Sequence, residues 1–253
     1  MNKLSALIIT YNEEKNIERC LNSLKDVADE IVVIDSFSTD KTEEICKNHN
    51  VRFIKQEFLG YIEQKNYTLQ YANFDLILSI DADEALSEEL AKSILLEKKD
   101  FNCDAYTMNR LTNYCGKWIK HSGWYPDKKL RLFKKGSGKW GGINPHDKFI
   151  QNTKTKPINN KGNLLHYSYY SIEEHVNQIN KFSTIKAMEM FKSGKKFNFL
   201  KMLSSSFAKF IKHYFVKSGF LDGWSGLIIS INSAHSTFLK YVKLRQYIRD
   251  AKK

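Results

Sequence analysis

Four apolar runs, separated by segments with helical periodicity, limit what this chain can fold into more than any other feature. The runs lie at 4–10, 30–35, 51–54 and 75–80. Continuous apolar strands that alternate with helices are typical of a parallel sheet covered by helices on both faces. Asn12 is expected to cap the first helix, and Ser38, Thr39 and Asp40 offer capping oxygens to the second. We therefore predict an α/β fold with a Rossmann-like, mostly parallel sheet.

The chain changes character twice after residue 100. Short strands and loops are expected over 101–170, where tryptophans lie among glycines. A capping box at Ser171 and Glu174 opens a helix, and apolar residues keep helical spacing over 197–214. We therefore predict an α/β domain over 1–170 and a basic, amphipathic helical region over 171–253.

The net charge of +12 is concentrated at one end of the chain. Residues 1–180 hold 25 basic and 25 acidic side chains, whereas residues 181–253 hold 15 and 3. Such a segment favours an anionic partner, and its alternative is a solvated helix face. No nucleic-acid-binding motif accompanies the charge, so a lipid surface is the expected partner and nucleic acid is not. No apolar run is long enough for a membrane span, and four scattered cysteines without a signal-peptide pattern indicate the cytoplasm.

Polar residues gather where the predicted strands end. They are Thr10, Asn12 and Glu13 after the first strand, Asp35 after the second, and Asp81 and Asp83 after the fourth. Open α/β sheets bind ligands at the carboxyl ends of their strands. Two carboxylates flanking one small residue suit Mg²⁺ or Mn²⁺ holding a diphosphate, although an acidic first turn of a helix has the same appearance.

A longer series of motifs carries a family resemblance across nearly the whole chain. It comprises Thr10–Glu14, Asp35–Asp40, Gln64–Asn66, Asp81–Asp83, Gly123–Asp127, Arg131–Phe133, His146–Asp147, His166–Tyr169 and Gly219–Gly223. In order and context this series resembles the inverting family 2 glycosyltransferases with the GT-A fold. It is most similar to the subgroup of lipopolysaccharide and lipooligosaccharide core β-1,4-glucosyltransferases.

The resemblance implies a role for each motif on the donor side. Thr10, Asn12 and Glu13 would lie along the nucleotide, and Asp35 would accept from the uracil imide. Their alternative roles are a turn, a helix cap and a strand-end cap. Lys65 would face the donor phosphates, unless it is an exposed helix lysine. Asp81 would contact the ribose or a metal-bound water.

The remaining roles concern the metal and the acceptor. Asp83 would bind the metal, and His166 stands where GT-A enzymes often place a further metal-contacting histidine, its alternative being structural. Asp147 is the expected general base, although the subgroup commonly has His-Glu here and Asp is one methylene shorter. Asp127 is the runner-up, with a turn after proline as its alternative. Arg131 would hold an acceptor or diphosphate anion, or pair with an acid.

These roles together predict a UDP-sugar-dependent glycosyltransferase of the EC 2.4 class. It would move a hexose, glucose from UDP-glucose, to a hydroxyl of a saccharide or glycolipid acceptor of the lipopolysaccharide core, in one metal-assisted displacement. The enzyme is expected at the cytoplasmic face of the inner membrane, held there peripherally. The alternatives are a non-catalytic nucleotide-binding α/β protein and a family 2 transferase with another donor and acceptor.

Overall fold

The computed structural model describes residues 2–143, 146–151, 155–158 and 162–251. The chain forms two compact units, the first consisting of Met1–Leu111 and Asp127–Tyr167 and the second of Thr112–Pro126 and Ser168–Lys253. The sequence predicts a single boundary at residue 170. The structure groups the segment 112–126 with the C-terminal helices.

The first unit contains a mixed β-sheet with helices. Its strands are β1 Leu4–Thr10, β2 Glu30–Asp35, β3 Arg52–Lys55, β4 Leu76–Asp81, β5 Glu84–Leu86, β6 Ala105–Tyr114, which continues into the second unit, β8 Asp127–Lys134, β9 Gly138–Ile143, β10 His146–Gln151, β11 Thr155–Pro157 and β12 Leu164–Tyr169, which also continues there. Its helices are α1 Ile17–Leu24, α2 Thr42–Lys47, α3 Tyr61–Leu69 and α4 Glu88–Lys99.

Strand order explains why the first four strands share one ligand edge. The main sheet runs β3-β2-β1-β4-β8-β6-β12-β5, and β9 pairs with β10 in a separate two-stranded sheet. Strands β1 to β4 are parallel to one another, whereas β8 runs antiparallel to β4. The parallel sheet predicted from the apolar runs is confirmed. Strands β1, β2 and β4 are mostly buried, whereas the edge strand β3 is partly exposed.

The predicted cap of the first helix is wrong. Helix α1 begins at Ile17 rather than after Asn12. Asn12 has a positive φ of 53°, which Asn tolerates better than most residues, and its side-chain oxygen accepts from the backbone N–H of Thr39 at 2.8 Å. Asn12 therefore joins the loops after β1 and β2 instead of starting a helix. Asp40 does accept from the first residue of α2, Thr42, as predicted.

The second unit is mainly helical. It contains β7 Lys117–Ile119, α5 Ile172–Lys192, α6 Phe199–Ile211, a π turn Lys212–Val216, a 3₁₀ turn Gly219–Asp222 and α7 Gly223–Asp250. The capping box predicted at Ser171 and Glu174 is present, and Asn198 caps α6. Within the described residues, no helix has the length and apolar character needed to cross a bilayer.

Candidate active site

Three predicted site residues lie side by side because their strands are neighbours. Thr10, Asp35 and Asp81 are the last residues of β1, β2 and β4. Thr10 is opposite Asp35 in the register, and Asp81 is opposite Ile9. The parallel sheet thus brings one hydroxyl and two carboxylates to the same edge, as expected for a ligand site in this class of fold.

Thr10 and Asp35 differ in how their polar atoms are satisfied. Both Asp35 oxygens accept from Ser38, one from its backbone N–H and one from its hydroxyl, so Asp35 does cap the strand end. The Thr10 hydroxyl is buried and has no hydrogen-bond partner among the described residues. A buried hydroxyl left without a partner is costly, so Thr10 is a position from which a bound ligand would gain a hydrogen bond.

Helix α3 supplies a buried cation. The Lys65 side chain is only 4% exposed, and its Nζ lies 2.8 Å from Asp81 Oδ1 and 2.9 Å from Asp147 Oδ2. The same ammonium group is 4.7 Å from the centre of the Trp140 ring, on β9. Asn66, the next residue, exchanges two 2.9 Å hydrogen bonds with the Trp140 backbone and so joins β9 to α3. Lys65 is therefore not an exposed helix lysine.

A second buried cation holds Asp81 from the other side. Arg131 on β8 places Nη2 2.6 Å from Asp81 Oδ2 and 2.9 Å from Glu84 Oε1. Burial disfavours the charged forms of both Asp81 and Arg131. For Asp81, the positive charges of Arg131 and Lys65 outweigh the effect of burial and hold the pKa well below its ordinary value. The same carboxylates raise the pKa of Arg131 despite its burial. Asp81 is thus a charged anchor between two cations.

The ion pairs continue to the runner-up base. Glu84 is buried and also contacts Arg110 Nη1 at 3.2 Å. Arg110 in turn binds Asp127 Oδ2 through Nε at 3.0 Å and Nη2 at 2.8 Å, and Lys129 Nζ lies 3.1 Å from Asp127 Oδ1. Both Asp127 oxygens therefore face cations.

Asp83 stands apart from this cation network and faces a histidine. Its Oδ2 lies 3.1 Å from His166 Nε2, and its backbone carbonyl accepts from the N–H of Tyr167 at 2.9 Å. Strand β12 pairs with β5 so that His166 lies opposite Glu84. The antiparallel pairing of β12 thus places a histidine next to the acidic motif Asp81–Asp83, although His166 is 83 residues away from Asp83 in the sequence.

Negative charge is concentrated between Glu13 and Asp83. Burial, and then the charge of Asp83, raise the pKa of Glu13 to about 7, although a hydrogen bond from Asn16 works in the other direction. Asp40 and Asp81 add to the rise. A bound cation would relieve this repulsion, because opposite charge favours the ionised form of a carboxyl group.

The residues present fit a divalent cation held jointly with a phosphate ligand. Among the described residues, no three or more His, Cys, Asp or Glu side chains form a metal cage. Mg²⁺ is commonly bound by one or two carboxylates, with substrate phosphates and water supplying the other oxygens. Asp83, the histidine beside it and the local excess of negative charge match this donor set.

The structure brings the predicted site residues into one unit but in different settings. Lys65, Asp81, Asp147 and Arg131 form one cluster, to which Asp127 is joined through other ion pairs, and Asp83 and His166 form a separate pair. The side chain of His146 is outside the described part of the structure.

Glu84 and Arg110 join the site's ion pairs and are not among the residues predicted from the sequence. A carboxylate in the short apolar strand Glu84–Leu86 was the available signal, because a buried acid requires a cation or donors. Arg110 lies at the partner position on β6 opposite Asp127, and this pairing is not visible in the sequence.

Known proteins resemble this chain over nearly all of its length. The model of Glycosyl transferase family 2 matches residues 5–173. An uncharacterized glycosyltransferase of Rickettsia typhi is 35% identical over 97% of this chain and 88% of its own length. The lipopolysaccharide core biosynthesis glycosyltransferase LpsC of Rhizobium meliloti is 30% identical over 96% of this chain and 92% of its own length. The structure of S. aureus TarS 1–349 with UDP-GlcNAc aligns at 14% identity and a TM-score of 0.49, covering 98% of this chain and 92% of that one.

Proposed function

The chain belongs to glycosyltransferase family 2 and has the GT-A fold of that family, and from this premise we propose that it is an inverting, UDP-sugar-dependent hexosyltransferase. The proposed donor is UDP-glucose and the proposed acceptor is a hydroxyl of the lipopolysaccharide or lipooligosaccharide core. The similarity to LpsC, whose name assigns it to lipopolysaccharide core biosynthesis, supports the acceptor class.

One observation carries the proposal. An acidic motif at the end of β4 holds one carboxylate, Asp81, between two buried cations and leaves the other, Asp83, beside a histidine. The first arrangement fixes a charged wall of the site, and the second provides oxygen and nitrogen atoms for a divalent cation. This is the combination that a diphosphate-linked sugar requires, because its charge must be met by cations on more than one side.

The proposed donor contacts follow the strand ends. Thr10 would give its unpartnered hydroxyl to the nucleotide, Asn12 and Glu13 would line the same loop, and Asp35 would accept from the uracil imide. Asp35 can do so while bound to Ser38, since a carboxylate has about four acceptor sites. Lys65 would meet the diphosphate, and Arg131 would act through Asp81 rather than on the substrate.

The proposed chemistry is a single displacement at the anomeric carbon. Asp147 would take the proton of the acceptor hydroxyl as its oxygen attacks from the face opposite the leaving diphosphate, so that an α-linked donor gives a β-glycoside. A diphosphate that attracts Lys65 competes with Asp147 for the ammonium group and leaves this carboxylate ready to accept a proton. A divalent cation held by Asp83 and His166 would neutralise the charge that develops on the diphosphate.

We also propose where the enzyme works. Core acceptors are lipid-linked, and the basic region 181–253 matches the anionic surface of a membrane. The proposed location is therefore the cytoplasmic face of the inner membrane, with peripheral attachment.

The decisive experiment combines metal dependence with one substitution. Purified protein is given UDP-sugars with Mn²⁺ or Mg²⁺, with and without core saccharide, and UDP release is measured. Asp83→Ala should abolish metal-dependent turnover while the melting temperature stays near that of the wild type, because Asp83 is partly exposed and works at the ligand. Asp100→Ala, which removes an exposed acid just after α4 that has no place in the proposed site, is the control and should keep full activity.

Near-normal transfer by Asp83→Ala in the presence of a chelator would refute the metal role. Nucleotide binding without turnover on any UDP-sugar would favour the non-catalytic alternative instead.

A further inference from the structure

Helix α6 exposes most of its apolar side chains to solvent. Of its 13 residues, all of them described, Met202 is the only buried one. Leu200, Leu203 and Phe207 are 75%, 45% and 69% exposed. Their spacing of three and four residues places them in one row on the same face of the helix. Soluble helices normally bury such a row, so this face is a candidate interaction surface.

The row continues into the π turn that follows α6. Phe210, half-buried, is the next residue at the same spacing, and its ring centre lies 6.3 Å from that of Phe215. The ring centre of Tyr214 lies 5.1 Å from that of Phe215 and 6.3 Å from that of Phe220. Phe215 and Phe220 are themselves about half exposed. We define the residues Leu200, Leu203, Phe207, Phe210, Phe215 and Phe220 as the apolar ridge.

Hydrogen bonds to a buried aspartate hold the end of the ridge in place. Asp222, just after Phe220, is 3% exposed and its carboxylate accepts from the backbone N–H groups of Lys120 and His121 and from the hydroxyl of Ser122. Lys117 Nζ donates to the Asp222 carbonyl at 2.6 Å. The exposed ring of Phe220 therefore lies on an anchored turn.

The charges around the ridge identify its partner. The 32 residues from 190 to 221 contain seven lysines and no acidic residue. Six of these lysines are exposed: Lys192, Lys195, Lys196, Lys201, Lys212 and Lys217. Aromatic and leucine side chains interspersed with lysines are typical of helices that lie in the boundary between lipid headgroups and acyl chains. A protein partner would need an acidic face with an apolar groove, whereas an anionic bilayer offers both features at any point.

We propose that the apolar ridge enters the outer part of an anionic bilayer, so that α6 lies in the plane of the membrane surface. The inference rests on the proposed function for the membrane as the site of the acceptor, and it adds a specific inserted element to the attraction by basic charge. Lysine stems can extend along the surface and keep their ammonium groups at the headgroups while the rings are submerged.

Flotation of the full chain with vesicles tests the proposal. Vesicles of phosphatidylcholine with 30% phosphatidylglycerol are compared with pure phosphatidylcholine. Leu203→Ser, Phe207→Ser and Phe215→Ser combined should weaken binding to the anionic vesicles at least tenfold, with every lysine retained. The matched control, Leu96→Ser, Ile172→Ser and Val176→Ser combined, removes exposed apolar residues outside the ridge and should bind like the wild type. Equal binding by the ridge variant and the wild type would overturn the proposal.

A depth probe separates insertion from surface attraction. Phe207→Trp should gain fluorescence that brominated acyl chains quench, whereas Leu96→Trp should show no quenching beyond that of the wild type. Absence of extra quenching in Phe207→Trp would overturn insertion even if flotation were positive. A wild-type dimer in light scattering that the ridge variant turns into a monomer, without vesicle binding, would assign the ridge to a second copy and also overturn it.

The proposal for the ridge and the proposed activity can be refuted independently of each other. The ridge variant should release UDP with a soluble core saccharide at the wild-type rate, because none of its three positions is in the proposed site. Vesicle binding by a protein that transfers no sugar would refute the activity and support the ridge.

Discussion

At the scale of single residues, the choice of general base between Asp127 and Asp147 depends on which carboxylate can be freed from the cations that bind it. Asp127 has a cation on each oxygen, since Arg110 contacts Oδ2 through two nitrogens and Lys129 contacts Oδ1. The Asp147 contact comes from Lys65, a residue that the donor diphosphate would itself attract. The geometry therefore favours Asp147, which shares its cation with the proposed substrate.

Asp147→Asn should lower transfer by roughly 10² to 10⁴ because it removes the base and retains the size of the side chain. Donor affinity, followed by titration calorimetry with UDP and Mn²⁺, should change little. Asp127→Asn is the paired variant, and we expect a smaller loss from it. Full activity in Asp147→Asn together with loss in Asp127→Asn would reverse the assignment.

The raised pKa of Glu13 makes a prediction about stability. A carboxyl group whose pKa is higher in the folded state, about 7 against an ordinary 4.5, favours folding while protonated. That contribution is complete below about pH 4.5 and is lost as the pH rises through 7. With chelator present, Glu13→Gln should therefore flatten the fall in unfolding free energy between pH 5 and 7.5, by about 2 kcal/mol after allowance for partial exposure.

Urea denaturation at the two pH values measures this difference. Glu18→Gln, which removes a charge from the exposed face of α1, serves as the control and should keep the slope of the wild type. If the unfolding free energy fell equally with pH in the wild type and in Glu13→Gln, Glu13 would not titrate between pH 5 and 7.5.

At the scale of elements, the sequence predicts what depends on local pattern. The apolar runs predict β1 to β4, and Ser171 with Glu174 predicts the start of α5, because strand burial and capping are encoded by neighbouring residues. The first helix begins later than predicted because Asn12 accepts from Thr39, 27 positions away. The roles of Glu84 and Arg110 cannot be predicted from neighbouring residues for the same reason, because they depend on strand pairing between distant parts of the chain.

The segment 112–126 illustrates the same limit in the second unit. Nothing in its composition predicts that it belongs with the C-terminal helices, yet Asp222 binds the backbone of Lys120 and His121 from 102 and 101 positions away. Asp222 lies in the motif Gly219–Gly223, which in the sequence is informative only as part of the family resemblance. Its structural role follows from burial and hydrogen bonding.

Asp222→Ala should destabilise the second unit by roughly 2 to 4 kcal/mol, because the donors of Lys120, His121 and Ser122 lose the buried carboxylate that accepts from them. Thermal unfolding of the full chain measures the loss, and Asp250→Ala, at the exposed end of α7, is the control. A melting temperature in Asp222→Ala equal to that of the control would show that water replaces the carboxylate without cost.

At the scale of the whole molecule, the position of charge matters more than its total. Residues 1–180 are neutral in sum, so the +12 charge belongs to the last 73 residues. Long-range attraction to an anionic surface therefore acts on the same segment that carries the exposed apolar side chains of α6. A uniform distribution of the same charge would attract the membrane without selecting which surface faces it.

The uneven distribution of charge predicts different effects for two variants of equal net charge. Lys195→Gln, Lys196→Gln and Lys201→Gln combined should weaken partitioning onto anionic vesicles about 100-fold, since each lysine near the surface contributes about 1 kcal/mol. Lys25→Gln, Lys99→Gln and Lys128→Gln combined, all in the first unit, should weaken it only slightly. Both effects should shrink as salt rises, because exposed charges are screened within about 8 Å at physiological ionic strength. Equal losses from the two variants would mean that net charge alone, rather than the basic segment, governs attachment.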